Sequence, residues 1–268
     1  MIKIDTIINQ LLDIVIRIYY MKGSFMTRQK IIFFDCMETL IDMYYIPGER
    51  EYALWAYEGS GTEKVWDGFD DFFEHFSSVW KMLKTSSPCN QECDIRERYG
   101  LIVRRKWNAA KVPPQETDLA EIVERLVGNY WRKYRKQCHL GAGVSNSLAQ
   151  LAAKYRLAVV SNFIVKDGVE ELLSLTGIDR YFDFVVTSVM EGWRKPHPAI
   201  YQAALARAGI CRYDTVFIGD DYMNDFLTPR KLGFKALLYD KNEAYPEIKE
   251  RFRHFEELEK LLIYWLEI

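Results

Sequence analysis

The 268-residue chain lacks the features of a membrane, secreted or nucleic-acid-binding protein. A membrane-spanning helix needs about 20 apolar residues, but the most apolar stretch, residues 4–18, is interrupted by Asn9, Gln10, Asp13 and Arg17. The five cysteines form no regular framework, which is typical of a reducing compartment. Basic residues (36) and acidic residues (38) nearly balance, so no overall positive field favours nucleic acid. We therefore expect a cytoplasmic protein with neither a membrane nor a nucleic-acid partner.

Residues 1–25 form a segment with its own character. Apolar residues recur there at helical spacing, namely Ile7, Ile8, Leu11, Leu12, Val15 and Ile18. The segment has no small-residue cleavage site, so we expect neither a signal peptide nor an anchor. Two interpretations stay open: a helix that packs on the rest of the chain, or an extension of unknown use ahead of a domain that begins near residue 26.

After residue 140, short apolar runs alternate with helical patterns. The expected strands are 157–160, 182–187, 216–218 and 236–239, and the expected helices are 145–154, 169–175, 198–208, 225–232 and 255–266. Strands that are separated by helices are typical of right-handed crossovers and a parallel sheet. The sequence therefore predicts an α/β fold with a Rossmann-like, doubly wound parallel sheet.

The pattern changes between residues 44 and 140. This stretch is rich in Trp, Tyr, Phe and charge, and its periodicity is helical rather than alternating. We therefore expect an α-helical domain at 44–140, inserted into a core that is formed by residues 26–43 and 141–268. Residues 1–25 remain an N-terminal extension.

Acidic residues follow two apolar runs that lie far apart in the sequence. Residues 31–34 end in Asp35, and residues 215–218 are followed by Asp220 and, five positions later, Asp225. Because parallel strands end at the same edge of a sheet, we expect these side chains to converge. Carboxylate oxygens are the ligands that Mg²⁺ prefers. The sequence therefore predicts a hard-cation site beside a nucleophilic aspartate.

Four short motifs in fixed order resemble those of the haloacid dehalogenase superfamily, whose phosphatases form an aspartyl-phosphate. They are Asp35-Cys-Met-Glu-Thr39, Val159-Val-Ser-Asn162, Gly192-Trp-Arg-Lys-Pro-His-Pro198, and Phe217-Ile-Gly-Asp-Asp221 with Asp225. The order and strand context agree from about residue 30 to residue 240. The resemblance implies a helical cap at 44–140 and a small phosphorylated metabolite as substrate.

The resemblance also implies roles for individual residues. Asp35 would be the nucleophile, and Thr39, Ser161, Asn162 and Lys195 would complete the catalytic set. Ser161 would hydrogen-bond the transferring group, Asn162 would orient backbone or substrate, and Lys195 would neutralise charge beside the substrate anion. The implied cofactor is Mg²⁺, held by Asp35, the backbone carbonyl of Met37, Asp220 and Asp225.

Met37 departs from the family pattern, which has a second aspartate there as general acid and base. A thioether does not transfer protons, and such assistance typically contributes about 10² to 10⁴ in rate. Two alternatives to a phosphatase therefore stay open. One is a catalytically weak sensor or scaffold that binds phosphate and metal, and the other is a dehalogenase, whose relatives also carry a non-acidic residue there. The acidic fourth motif favours the phosphatase, since by resemblance dehalogenation needs no magnesium.

Other polar residues near the motifs have simpler interpretations. Glu38 takes a position that the family usually gives to glycine, and we expect a solvated turn residue there rather than a proton donor. His197 and Asp221 are expected to cap helices. In the insertion, Arg50, Arg96, Arg98 and other basic residues are possible contacts for a substrate anion, but no motif singles one out.

Overall fold

The structure is a computed structural model that describes residues 30–86, 90–110 and 116–266. Six strands form a parallel sheet in the order β5-β4-β1-β6-β7-β8. They are β1 (Ile31–Phe34), β4 (Arg156–Ser161), β5 (Phe184–Thr187), β6 (Thr215–Gly219), β7 (Lys235–Tyr239) and β8 (Arg251–Phe252). Two further strands, β2 (Ile41–Met43) and β3 (Cys138–Leu140), pair antiparallel. The predicted parallel α/β core is confirmed, and β8 is a strand that the sequence did not predict.

The sheet is apolar because helices cover both of its faces. All four residues of β1 are fully buried, as expected for a parallel strand between two helical layers. Ile32 and Phe34 pack into one hydrophobic cluster, whereas Ile31 and Phe33 pack into the other. The alternation of β1 side chains thus joins both layers to the central strand.

Four helices lie between β2 and β3, and we call them the insertion. They are α1 (Glu49–Tyr57), α2 (Phe69–Ser86), α3 (Ile95–Ala110) and α4 (Glu116–Gln137). The pairing of β2 with β3 keeps the two chain crossings side by side. Trp55 and Trp66 are buried in the hydrophobic cluster that the insertion shares with the core.

The remaining helices flank the sheet. They are α5 (Val144–Ala152), α6 (Gly168–Leu175), α7 (Ser188–Glu191), α8 (Pro198–Ala208), α9 (Thr228–Lys231) and α10 (Leu258–Leu266). The single helix expected at 225–232 is wrong in detail, because a π-helix (Tyr222–Leu227) precedes α9. No helix in the described ranges is long and apolar enough to cross a membrane. The predicted extension at 1–25 lies outside the described residues.

Residues 90–95 of the insertion bind directly to the core, and we call this segment the strap. Glu92 accepts hydrogen bonds from Ser188 Oγ (2.7 Å) and from the Arg98 guanidinium (2.8 Å). Its side chain is only 3% exposed. Three backbone hydrogen bonds of 2.9–3.0 Å join Asn90 to Arg194, Glu92 to Gly192 and Ile95 to Ile164. The strap therefore connects the insertion to the two core loops that follow β4 and precede α8.

Candidate active site

Asp35 lies where β1 ends, and the sheet fixes its backbone. Its N–H donates to the carbonyl of Ile218 on β6 over 2.8 Å, which extends the ladder by one residue. Asp35 is 8% exposed. The short apolar run ahead of Asp35 thus delivers one carboxylate to the carboxyl edge of the sheet, as the sequence predicts.

Lys195 is the centre of the site. Its Nζ donates to Asp35 Oδ1 (2.6 Å), Asp225 Oδ1 (2.7 Å) and the Val160 carbonyl (2.9 Å). The residue is 2% exposed. Burial alone would lower the pKa of Lys195, but the carboxylates of Asp225 and Asp35 outweigh it and raise that pKa above its usual value. Lys195 therefore stays an ammonium ion between two carboxylates.

Asn162 positions Lys195 through its backbone. The side-chain amide accepts from the Lys195 N–H (2.6 Å) and donates to the Lys195 carbonyl (3.1 Å). Of the two roles expected for Asn162, the structure shows the orientation of backbone. The Lys195–Pro196 peptide is cis, and His197 then caps α8 by accepting from the Ala199 N–H. His197 thus has the helix-start role that the sequence suggests.

Asp225 reaches Lys195 from the π-helix, and Gly219 makes room for it. A Cβ atom on Gly219 would lie 2.4 Å from the Asp225 carboxyl group. Asp225 Oδ2 accepts from the Asp221 N–H (3.2 Å). Asp221 itself caps the π-helix, since it accepts from the Met223 and Asn224 N–H groups. In the Gly-Asp-Asp sequence, the glycine is therefore required for the packing of Asp225, and the two aspartates supply carboxylates.

Thr39 holds Asp220 rather than facing Asp35. Its Oγ1 donates to Asp220 Oδ1 (2.9 Å) and accepts from the Asp220 N–H (3.1 Å). The pKa of Asp220 is raised to about 7, mainly because the group is buried and secondly because the Asp35 carboxylate lies nearby. The site therefore contains more acidic groups than the single ammonium ion of Lys195 can neutralise.

The donor set fits a hard divalent cation. One carboxylate oxygen from each of Asp35, Asp220 and Asp225 lies within 4.8 Å of the others. Within the described ranges, Asp35 Oδ2 and Asp220 Oδ2 accept no hydrogen bond, whereas both oxygens of Asp225 do. Nor does any described donor bind the Met37 carbonyl. Asp35, Asp220 and Met37 therefore each have an oxygen that could bind a hard cation, whereas both carboxylate oxygens of Asp225 are bound by Lys195 and the Asp221 N–H.

Glu38 lies in a turn, as expected, and its side chain is 25% exposed, but it forms an ion pair that the sequence did not predict. Its carboxylate binds Lys241 Nζ (2.9 Å), which also binds Asp42 Oδ1 (2.7 Å). Glu38 has a φ of 58°, a conformation that glycine adopts without strain. The ion pair accounts for a charged residue at this turn, and it commits the Glu38 carboxylate to Lys241.

Ser161 is 1% exposed at the end of β4, one residue before Asn162.

Three arginines of the insertion that could contact a substrate anion each have an acidic partner. Arg50 pairs with Asp70, Arg96 pairs with Glu124, and Arg98 pairs with Glu92. Arg98 also lines a cavity together with Trp80, Asn162 and Arg194. Arg194 was not among the site residues predicted from the sequence, although its position directly before Lys195 of the third motif could have indicated it.

Comparison with known proteins identifies a family for the fold. The family model described as haloacid dehalogenase-like hydrolase matches residues 66–239, more than half of the chain. The first motif, with Asp35 and Met37, lies outside that range.

Two curated relatives show how far the similarity extends. The haloacid dehalogenase-like hydrolase domain-containing protein 3 of Xenopus laevis is 43% identical over 83 residues, 31% of this chain and 33% of the relative. The match therefore spans about a third of that protein's length. The glyceraldehyde 3-phosphate phosphatase of Pyrococcus abyssi is 25% identical over 214 residues, 78% of this chain and 81% of the relative.

Two solved structures share the fold. A 2-haloacid dehalogenase from Pseudomonas syringae superposes with a TM-score of 0.68 at 19% identity, over 88% of this chain and 99% of its own. The HAD-hydrolase YfnB of Bacillus subtilis, bound to magnesium, has a TM-score of 0.55 at 18% identity, over 90% of this chain and 100% of its own. At such identities the likeness establishes the fold alone.

Gly219→Ala should displace Asp225 and destabilise the protein. Overpacking of this kind costs about 1 to 3 kcal/mol in the free energy of unfolding, measured by urea denaturation. Gly128→Ala is the matched control, because its Cβ would meet open space on α4 and helix propensity favours alanine by about 1 kcal/mol. Equal effects of the two substitutions would contradict the packing role of Gly219.

The raised pKa of Asp220 predicts a pH effect on the metal-free protein. The contribution of Asp220 to stability is complete below its ordinary pKa of 3.8 and is lost as the pH rises through about 7, since the folded state must then hold the ionised form. With a chelator present, Asp220→Asn should flatten the fall in the free energy of unfolding across that window. Asp70→Asn, on an exposed carboxylate, should retain the wild-type slope. A wild-type slope in Asp220→Asn would refute the assignment.

Proposed function

The chain belongs to the haloacid dehalogenase-like hydrolases, and we propose that it is a magnesium-dependent phosphatase of small phosphorylated metabolites. The observation that carries the proposal is the contact of Lys195 with Asp35 beside two oxygens suited to a cation. A buried ammonium ion next to a nucleophilic carboxylate suits a substrate with a dianionic phosphoryl group. The phosphatase named among its relatives supports the same reading.

Asp35 would act as the nucleophile. Its carboxylate attacks the phosphorus in line, the bond between phosphorus and the leaving oxygen breaks, and an aspartyl-phosphate forms. Lys195 keeps the carboxylate oriented through Oδ1 and offsets the negative charge of the phosphoryl group. Mg²⁺, when bound through Asp35, Asp220 and the Met37 carbonyl, supplies further charge neutralisation. Water then attacks the phosphorus of the aspartyl-phosphate and loses a proton to solvent or to a phosphoryl oxygen. The bond between phosphorus and the Asp35 oxygen breaks, inorganic phosphate is released, and the Asp35 carboxylate is restored.

Met37 limits which leaving groups can depart. The side chain carries no proton to give to a leaving alkoxide, and the Glu38 carboxylate is bound to Lys241. The enzyme should therefore prefer acyl and aryl phosphates, whose leaving groups depart without protonation. This preference is the property that separates it from a phosphatase with the full acidic motif.

Two other functions remain as alternatives to the phosphatase. The absence of an acid at position 37 favours a sensor or scaffold that binds phosphate and metal with little turnover. Displacement of halide by Asp35 would make the chain a dehalogenase, and such turnover would survive a chelator. The oxygens available beside Asp35 favour the phosphatase over the dehalogenase.

The deciding experiment measures turnover of para-nitrophenyl phosphate and acetyl phosphate with Mg²⁺. We expect turnover that a chelator removes and that Asp35→Asn reduces by at least about 10³-fold, because the nucleophile is lost. Asp221→Asn is the control, since its carboxylate caps a helix and lies outside the Lys195 contacts. Stabilisation by phosphate and Mg²⁺ without turnover would establish the sensor instead.

Met37→Asp should restore the missing proton transfer. We expect kcat on an alkyl phosphate such as glycerol 3-phosphate to rise by about 10²-fold or more, the lower end of the range typical of general acid–base catalysis. The increase on acetyl phosphate should be smaller, because its leaving group needs no proton. Met37→Leu keeps the size without the acid and should leave the alkyl rate at its wild-type value. An equal response to Asp and Leu would show that protonation of the leaving group does not limit the enzyme.

A further inference from the structure

A cavity of about 290 Å³ lies between the insertion and the core. Trp80 and Lys84 of α2 line one side, Arg98 and Glu92 lie at the strap, and Asn162 and Arg194 belong to the core. The cavity thus borders both loops to which the strap binds. Since a water molecule's share of liquid volume is about 30 Å³, it has room for on the order of ten non-hydrogen atoms.

The charges around this cavity do not balance. Arg98 pairs with Glu92, and its guanidinium also lies 5.1 Å from the centre of the Trp80 ring. The side chains of Lys84 and Arg194 have no hydrogen-bond or ion-pair partner in the part of the chain that the structure describes. Two cations of the lining therefore have no ion-pair partner among the described residues, since the one acidic side chain in the lining, Glu92, pairs with Arg98.

Backbone hydrogen bonds fix the position of the Arg194 main chain, and therefore of its Cα atom. The Arg194 N–H donates to the Asn90 carbonyl of the strap, and the next residue, Lys195, is held by the Asn162 amide. Lys195 points into the core, where it is 2% exposed, whereas Arg194 is exposed and lines the cavity. One short loop thus supplies a cation to Asp35 and a second cation to the cavity.

Two contacts connect the cavity to Asp35. Asn162 lines the cavity and binds the Lys195 backbone through its side-chain amide. Lys195 Nζ in turn binds Asp35 Oδ1 over 2.6 Å. A leaving group that extends from a phosphoryl group at Asp35 past Asn162 would therefore reach the cavity.

We propose that Arg194 and Lys84 form a subsite for a second anionic group, so that the substrates are small phosphomonoesters whose leaving group carries a carboxylate or a second phosphate. Arg194 binds the anion in a bidentate fashion and Lys84 adds an unpaired charge. Trp80 offers a flat wall beside the body of the leaving group. The inference rests on the proposed phosphatase function, because it names the class of substrate for that same site.

The test compares two aryl phosphates of nearly the same shape, 4-carboxyphenyl phosphate with an anionic substituent and 4-carbamoylphenyl phosphate with a neutral one. The carbamoyl compound has the better leaving group, so leaving-group chemistry by itself would favour the neutral compound. Wild-type protein should prefer the carboxylate by at least about tenfold in kcat/KM, mainly through KM, because the subsite is remote from the phosphorus. Phenylene 1,4-bisphosphate distinguishes a second phosphate from a carboxylate. Equal kcat/KM values for the charged and neutral compounds would overturn the inference and leave the phosphatase intact.

Variants assign the preference to its residues. Arg194→Gln and Lys84→Gln should each lower the ratio of charged to neutral kcat/KM several-fold, and together they should bring it close to one. Arg96→Gln is the control, since that arginine pairs with Glu124 on the surface of the insertion, and it should keep the wild-type ratio. A wild-type ratio in the double variant would refute the subsite.

A binding measurement separates failure of the subsite from failure of the phosphatase. Without turnover of any aryl phosphate, the phosphatase proposal fails, and thermal unfolding then tests the subsite alone. With Mg²⁺ present, 4-carboxyphenyl phosphate should raise the melting temperature more than its carbamoyl analogue, and the Arg194→Gln, Lys84→Gln double variant should lose the difference. Equal shifts in the wild-type protein would remove the subsite as well.

Discussion

The buried ammonium group of Lys195 is the interaction on which the site depends. The side chain of Lys195 is only 2% exposed, and a buried charge persists only when it is paired. Asp35 provides the pairing from the end of β1, and Asp225 provides it from the π-helix that follows β6. Lys195 is also bound to the loop after β4, because the Asn162 side chain accepts a hydrogen bond from the Lys195 N–H. Loss of Lys195 would therefore leave two buried carboxylates without their cation, and not merely remove a substrate contact.

The sequence predicted the parts of this site that follow from strand ends. Asp35, Asp220 and Asp225 converge because the residues ahead of them are apolar enough to form central parallel strands. Lys195 and Asn162 were reached only through resemblance, because nothing in the spacing of 160 residues between Asp35 and Lys195 shows that they touch.

Long-range pairing explains most of what the sequence did not reveal. Lys241 binds Glu38 across 203 positions, so a charged turn residue was interpreted as solvated. The strap was missed for the same reason, because its partners are backbone groups of loops that no side-chain pattern identifies. Strand β8 is only two residues long, too short for any periodicity. Local patterns therefore gave the elements, and tertiary contacts decided the function of individual side chains.

The strap also gives the insertion a second attachment to the core besides the β2–β3 crossing. Its three backbone hydrogen bonds join residues 90–95 to the loops after β4 and before α8, so a movement of the insertion away from those loops breaks all three. At about 1 kcal/mol net for each bond, these bonds alone oppose such a movement by on the order of 3 kcal/mol. The apolar side chains that the insertion shares with the core, and the bond between Glu92 and Ser188, add to that cost. The insertion and the core therefore behave as one packed body, in which a state with the strap detached is populated at less than about one per cent.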